Sequence, residues 1–252
     1  MPLPERRGGD PPAGGLVVLP VAGIGEVAPG DDLVALVCGA LWPASPEGPA
    51  LRDADVLVVT QKVVSKAEGR LVAVDDDRPE AKAQLVEREA VRVLRRRGEL
   101  LVTETSHGFV CANAGVDLSN VASGTAALLP VDPDRSARRV QAGLRRRLGV
   151  EVGVIVSDTF GRAWRRGVTD VAIGVAGVAG VVDLRGTTDA LGRELVATEV
   201  CVADEIAGAA ELVMGKDRNV PVAVVRGVDP RWLRPGSVAA EIVRPPAEDL
   251  FR

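Results

Sequence analysis

Val152-Gly153-Val154-Ile155-Val156 runs without a break into Ser157-Asp158-Thr159-Phe160-Gly161-Arg162-Ala163-Trp164-Arg165-Arg166. The apolar, largely β-branched run reads as a strand buried on both faces. An acid between two hydroxyls follows at once, with three arginines just behind. Strand ends in mixed α/β architectures deliver such side chains into crevices. An earlier segment answers it: His107-Gly108-Phe109-Val110-Cys111-Ala112-Asn113-Ala114-Gly115-Val116-Asp117-Leu118-Ser119-Asn120, which holds the only histidine of the chain. Its oxygen-rich end can hold a hard cation beside a phosphate-bearing ligand. Two carboxylates, hydroxyls and a guanidinium on separate segments point to metal-assisted chemistry on phosphate, and so to an enzyme.

Outward from these segments, Leu16–Val21, Val56–Thr60, Arg70–Val74, Leu100–Thr103 and Val222–Arg226 read as further strands. Asp31 and Asp32 stand at a helix N-terminus, where acids favour the dipole, and Pro43 ends that helix. Pro79 opens a long amphipathic helix expected to reach Arg97, with Leu85, Val86, Val93 and Leu94 inward and Gly98 as its stop. A second amphipathic helix covers Asp134–Leu148, its arginines most simply a solvated face. Gly174, Gly177 and Gly180 suggest two close-packed strands within Val168–Val182 joined by a glycine-rich turn. Thr198–Met214 reads as a small-residue helix studded with acids that include Glu211, and the tail from Pro235 as extended. The irregular alternation lacks the even rhythm of a barrel or doubly wound sheet, so the fold class is α+β with mixed sheets and packed helices.

Composition narrows the function. Hydrophobic residues make up 46% of the 252-residue chain, enough for a real core, but aromatics only 2%, so that core is built from Val, Leu and Ala. A net charge of −4 argues against general nucleic-acid binding, and any anion site must be a local basic cluster. Cys38, Cys111 and Cys201 show neither zinc-ligand spacing nor a disulfide framework, which suits a reduced, cytoplasmic setting. Residues 1–15 lack the apolar core of a signal peptide and read as a disordered lead-in. No apolar run is long enough to span a membrane.

Gly23-Ile24-Gly25-Glu26-Val27-Ala28 formally matches a dinucleotide fingerprint, but Pro29-Gly30 denies it the helix whose amides would hold a pyrophosphate. A phosphate- or base-contacting loop remains open there. No P-loop motif occurs. Thr60-Gln61-Lys62-Val63-Val64-Ser65-Lys66 leaves a strand with two lysines four apart, either a solvated strand-to-turn pair or a phosphate contact. Asp117 and Asp158 are turn or cap residues, or metal ligands. His107 reads as a hydrogen-bonded core histidine rather than a base.

HGFVCANAGVD-x-SN, SDTFGRAWRRG, DLRGTTDALGREL, ADEIAGAAELVMGK and PVAVVRG follow one another in order, preceded by VLPVAGIGEVAPGDDL and VVTQKVVSKAEGRL. Together they resemble the coenzyme F420-0:γ-glutamyl ligase family, from about residue 16 to about 230. The resemblance implies that family's own α+β fold as an intertwined homodimer, with the active site in a groove near the subunit interface. It implies a ligase domain over 16–235, with 236–252 an extended tail or linker remnant. In some relatives a flavin-binding nitroreductase-like domain follows; Phe251-Arg252 falls within what resembles the linker to it, which fits either a stand-alone ligase or a part of a longer chain.

By the same likeness, GTP phosphorylates a terminal carboxylate of F420-0, the amine of L-glutamate displaces phosphate, and further glutamates join through γ-linkages. The small-molecule partners are thus F420-0, L-glutamate and GTP. Two Mg²⁺ or Mn²⁺ ions, with a monovalent cation as a further candidate, accompany the reaction. Asp117 and Asp158 match ligands of the first metal and Thr159 a ligand of the second. Ile24, Gly25, Glu26, Val27, Lys66, Asn120, Met214 and Gly215 match nucleotide contacts. Apart from the likeness, their charge makes Arg162, Arg165 and Arg166 candidates for clamping a phosphodiester or the transferred phosphoryl, unless one of them pairs with an acid. Gln61 stands where relatives carry serine as a nucleotide contact. Lys216 falls near the second metal, where some members have a neutral polar residue, and an ammonium cannot ligate. These two departures keep open a nucleotide- or deazaflavin-binding module without catalysis, and the acid–hydroxyl geometry also suits a phosphotransferase acting on another carboxylate.

Overall fold

The computed structural model describes residues 14–75 and 78–249, so the expected lead-in lies almost wholly outside it. In chain order the elements are β1 (Val17–Val21), α1 (Leu33–Ala40), β2 (Val56–Thr60), α2 (Gln61–Ala67), β3 (Leu71–Ala73), α3 (Pro79–Glu89), β4 (Ala90–Arg97), β5 (Leu100–Thr105) and β6 (Val110–Ala112). They continue with β7 (Thr125–Ala127), α4 (Pro133–Leu148), β8 (Gly153–Gly161), β9 (Val168–Ala176), β10 (Val182–Asp183), β11 (Glu199–Val200), α5 (Val202–Met214), β12 (Val222–Arg226) and α6 (Val238–Glu241). The central sheet has the order β1-β12-β2-β8-β9, with only β2 and β8 parallel. The architecture is α+β, as the irregular alternation of elements implies.

Val56 to Val59 are fully buried because the sheet is covered on both sides. Leu57 and Val59 meet Val37 of α1 and Val140 and Leu144 of α4, while Val56 and Val58 meet Ala203, Ile206 and Ala210 of α5. The period-two alternation of a strand thus feeds two cores. A third, smaller cluster joins Leu85 and Val86 of α3 to Leu101, Val116, Ala126 and Leu128. Asp32 caps α1 through Ala35 N at 2.9 Å. Asp55 and Arg226, both buried, form a bidentate pair at 2.7 and 2.8 Å that ties the start of β2 to the end of β12.

Four expectations are corrected. The helix from Pro79 stops at Glu89, and Ala90–Arg97 is a strand paired with β5. Its Val and Leu spacing also fits a helix, but the non-local partner strand decides, and Gly98 (φ 59°) closes a two-residue hairpin instead of capping a helix. Val168–Val182 is not a strand pair. β9 is one strand, and Gly174 lies within it because a Cβ there would stand 2.3 Å from the Pro133 carbonyl at the start of α4. The helix expected from Thr198 begins at Val202, since Glu199 and Val200 pair with β10. The tail is packed, not extended: Ser237 caps α6, and the Asp134 carboxylate accepts from Ser237 Oγ (2.7 Å) and Val238 N (3.1 Å). Glu241 in turn accepts from Gly180 N at 3.0 Å.

Candidate functional site

β2 and β8 run parallel with Thr60 opposite Ser157, so both reach the same edge of the sheet. There β2 turns directly into α2, while β8 continues from Asp158 to Gly161 paired only with β9. A register shift between Val156 and Ser157 kinks the strand at this point. Ser157-Asp158-Thr159 therefore lies within a long strand rather than beyond its end.

A cavity of about 680 Å³ opens at this edge. Its walls are the loop Ile24–Val27, the start of α2, the turn Asp117–Asn120, the strand acids and the turn after α5 that carries Gly215 and Lys216. Asp117 is held by backbone bonds with Ala127 in both directions, at 2.8 and 3.0 Å. The mostly apolar α5 ends at Gly215, whose φ of 63° turns the chain toward the cavity, a conformation glycine takes without a steric cost. Met214 just before it is fully buried in the second core and serves packing.

Lys62 Nζ lies 2.8 Å from Asp117 Oδ2 and 2.7 Å from Ser119 Oγ. Ser119 N donates to Asp117 Oδ1 at 2.7 Å. Burial works against the ionised Asp117, but Lys62 and the two Ser119 donors outweigh it and hold the carboxyl below its ordinary range. Asp158 has no such cation, and burial pushes its carboxyl up to about 7. The Thr159 N–H counteracts this, the charges of Asp170 and Asp117 add to it, and Lys216 relieves it in part.

Asp170, 2% exposed, accepts from Ser157 Oγ at 2.9 Å and Thr159 Oγ1 at 2.6 Å, and so fixes both hydroxyls. Lys216 donates to Thr159 Oγ1 and stands 3.5 Å from Asp170 and 3.7 Å from Glu211. Burial, then the Asp170 charge, raises the Glu211 carboxyl. Asp170 went unnoticed in the sequence; its signal was a charge inside the apolar run Val168–Ala176.

Lys66 is buried on α2 with its ammonium on Glu26, so the two lysines of this segment are helical neighbours facing the cavity, not a solvated turn. Gln61 lines the cavity, but its amide donates inward to Leu128 O (3.0 Å) and Ser65 Oγ (2.6 Å). Asn120 lines it in a left-handed conformation (φ 53°) that asparagine tolerates. Arg162, Arg165 and Arg166 lie on the exposed turn after β8 and do not line the cavity. His107 is stacked on Phe109, with Nε2 2.9 Å from Pro130 O, as a hydrogen-bonded structural residue. The three cysteines are free.

The donor set is all oxygen, which suits hard divalent cations. Among the described residues no three carboxylate, thiol or imidazole groups converge on one point. Lysines 62 and 216 instead meet the acids that would hold an ion, so ion binding requires these ammonium groups to give way or to share the charge. No helix among the described residues is long and apolar enough to cross a membrane.

Residues 23–227 match the sequence profile of the F420-0:Gamma-glutamyl ligase family. The chain is 40% identical to the coenzyme F420:L-glutamate ligase of Methanothermobacter thermautotrophicus, over 94% of this chain and 99% of that protein. It is 42% identical to the protein of that name from Methanopyrus kandleri, over 90% of this chain and 94% of the other. With the counterpart from Methanocaldococcus jannaschii the identity is 37%, over 80% and 86% respectively.

Proposed function

Since the chain belongs to the F420-0:γ-glutamyl ligase family, we propose that it joins L-glutamate to coenzyme F420-0 at the expense of GTP and extends the tail by γ-linked glutamates. The observation that carries this reading is a single cavity lined by the Ile24–Val27 loop, Lys66, Asp117, Asn120, Asp158 and Thr159. One space of about 680 Å³ has room for the phosphates of a nucleotide beside a carboxylate acceptor.

A free carboxylate does not condense with an amine at neutral pH, because oxide is too poor a leaving group. One acceptor carboxylate oxygen attacks the γ-phosphorus, GDP departs, and an acyl phosphate forms. The glutamate amine then attacks the acyl carbon and phosphate leaves, carrying that oxygen. Lys66 and the 24–27 loop hold phosphate oxygens, and Asn120 offers an amide to the nucleotide. Asp117, Asp158 and Thr159 are the groups that would hold Mg²⁺ or Mn²⁺. Bound there, a divalent cation supplies charge neutralisation between triphosphate and carboxylate. Asp170 keeps the Thr159 hydroxyl oriented, its proton directed to Asp170 and its oxygen left as acceptor. Catalysis is then positioning and electrostatics, without a covalent enzyme intermediate.

F420-0 labelled with ¹⁸O in its terminal carboxylate tests the route. Transfer of one ¹⁸O to released phosphate supports the acyl phosphate, and unlabelled phosphate refutes it. We further propose a homodimer joined through the sheet β4-β5-β6, whose Val91, Val93, Leu100 and Val110 are exposed in the single chain. Reduced cytoplasm suits its three free thiols.

A further inference from the structure

We propose that Lys216 serves as a resident cation in this chain, its ammonium taking the position of one of two divalent ions, so that each active site holds a single Mg²⁺ or Mn²⁺. The inference rests on the ligase reading and concerns how that site is charged. Lys216 Nζ sits among three oxygens from three elements: Thr159 of β8, Asp170 of β9 and Glu211 of α5. That is how a cation is held: a hydroxyl oxygen in direct contact and two carboxylates just beyond it. Asp170 is buried, with a side chain 1% exposed, and a buried carboxylate needs positive charge close by. Among its described contacts, Lys216 supplies it.

The backbone prepares this placement. Gly215 reverses direction at the end of α5 so that the next residue faces the cavity, although more than half of the Lys216 side chain remains open to it. An ammonium has no lone pair to offer an ion, and its charge repels a divalent cation approaching the same oxygens. Thr159, a metal ligand by family likeness, is in this chain served by the ammonium instead, together with Asp170 and Glu211. Asp117 and Asp158 offer the oxygens for one ion, which binds once Lys62 yields the Asp117 carboxylate it pairs with at 2.8 Å.

Equilibrium titration of the full chain with Mn²⁺ in the presence of GDP, with free Mn²⁺ read by electron paramagnetic resonance, counts the sites directly. The wild type is expected to saturate at one ion per chain. Lys216→Gln, which exchanges the ammonium for a neutral amide oxygen, is expected to saturate at two. Lys216→Arg retains a cation and is expected to remain at one. Two ions in the wild type, one in Lys216→Gln or two in Lys216→Arg would each overturn the role of Lys216 while leaving the metal-dependent ligase reading intact. No bound Mn²⁺ in the wild type would overturn both.

Discussion

Asp158→Asn should stabilise the metal-free protein while abolishing its activity. The wild-type carboxyl is raised from 3.8 to about 7 by burial and by the charges of Asp170 and Asp117. A raised acid contributes its stability below the unfolded value and loses it as pH climbs through the folded one. Metal-free wild type should therefore weaken steadily between about pH 4 and about pH 7, and stay weakened above. A shift of roughly 3 units corresponds to about 4 kcal/mol as an upper bound, and relaxation and water entry reduce this to ~1–3 kcal/mol. Asparagine keeps the shape and can still accept the Thr159 N–H bond, 2.8 Å in the wild type, but carries no charge. Calorimetry in chelator should show the variant melting roughly 3–8 °C above wild type near pH 8, with the gap closing toward about pH 5. Excess Mn²⁺ should raise the wild type and not the variant. An equal or lower melting temperature for the variant near pH 8 would mean that the Asp158 carboxylate is structural rather than strained in readiness for a cation.

Three other consequences follow from the fold. Asp55→Ala leaves the buried Arg226 guanidinium without its bidentate partner and should cost about 3–5 kcal/mol, measurable by denaturant unfolding; a loss under about 1 kcal/mol would contradict the pairing. Gly174→Ala forces a methyl against the Pro133 carbonyl and should cost about 1–3 kcal/mol by separating α4 from β9, again read from unfolding midpoints. Val110→Glu places a second acid opposite Glu104 on the exposed sheet and should convert a dimer to a monomer in sedimentation; a monomeric wild type would contradict the dimer itself.

The strands of the central sheet were legible because burial on both faces demands uninterrupted apolar runs, and Val56–Thr60 and Val222–Arg226 end where the sequence implies. Ala90–Arg97 was not. Its arginines and valines suit a helix as well as a strand, and the deciding partner, β5, acts through pairing rather than local preference. In the site, Asp117 and Asp158 stood out as acids following apolar runs, and both face the cavity. Asp170 did not, since its role comes from its register opposite Thr159, which only strand pairing creates. Lys62 and Lys66 looked alike in sequence, and folding separates them: one salt-bridges Asp117, the other is buried against Glu26. The arginines after Thr159 drew attention by proximity in sequence, yet the chain carries them past the cavity onto an exposed turn.

The activity proposed for this site is amide formation between glutamate and a deazaflavin carboxylate driven by GTP. Mass spectrometry of F420-0 incubated with the protein, L-glutamate, GTP and Mn²⁺, beside a reaction without GTP, tests it most directly. Products heavier by successive glutamyl units, and only with GTP, are the predicted result. Unchanged F420-0 in the presence of folded protein that binds GTP would contradict it.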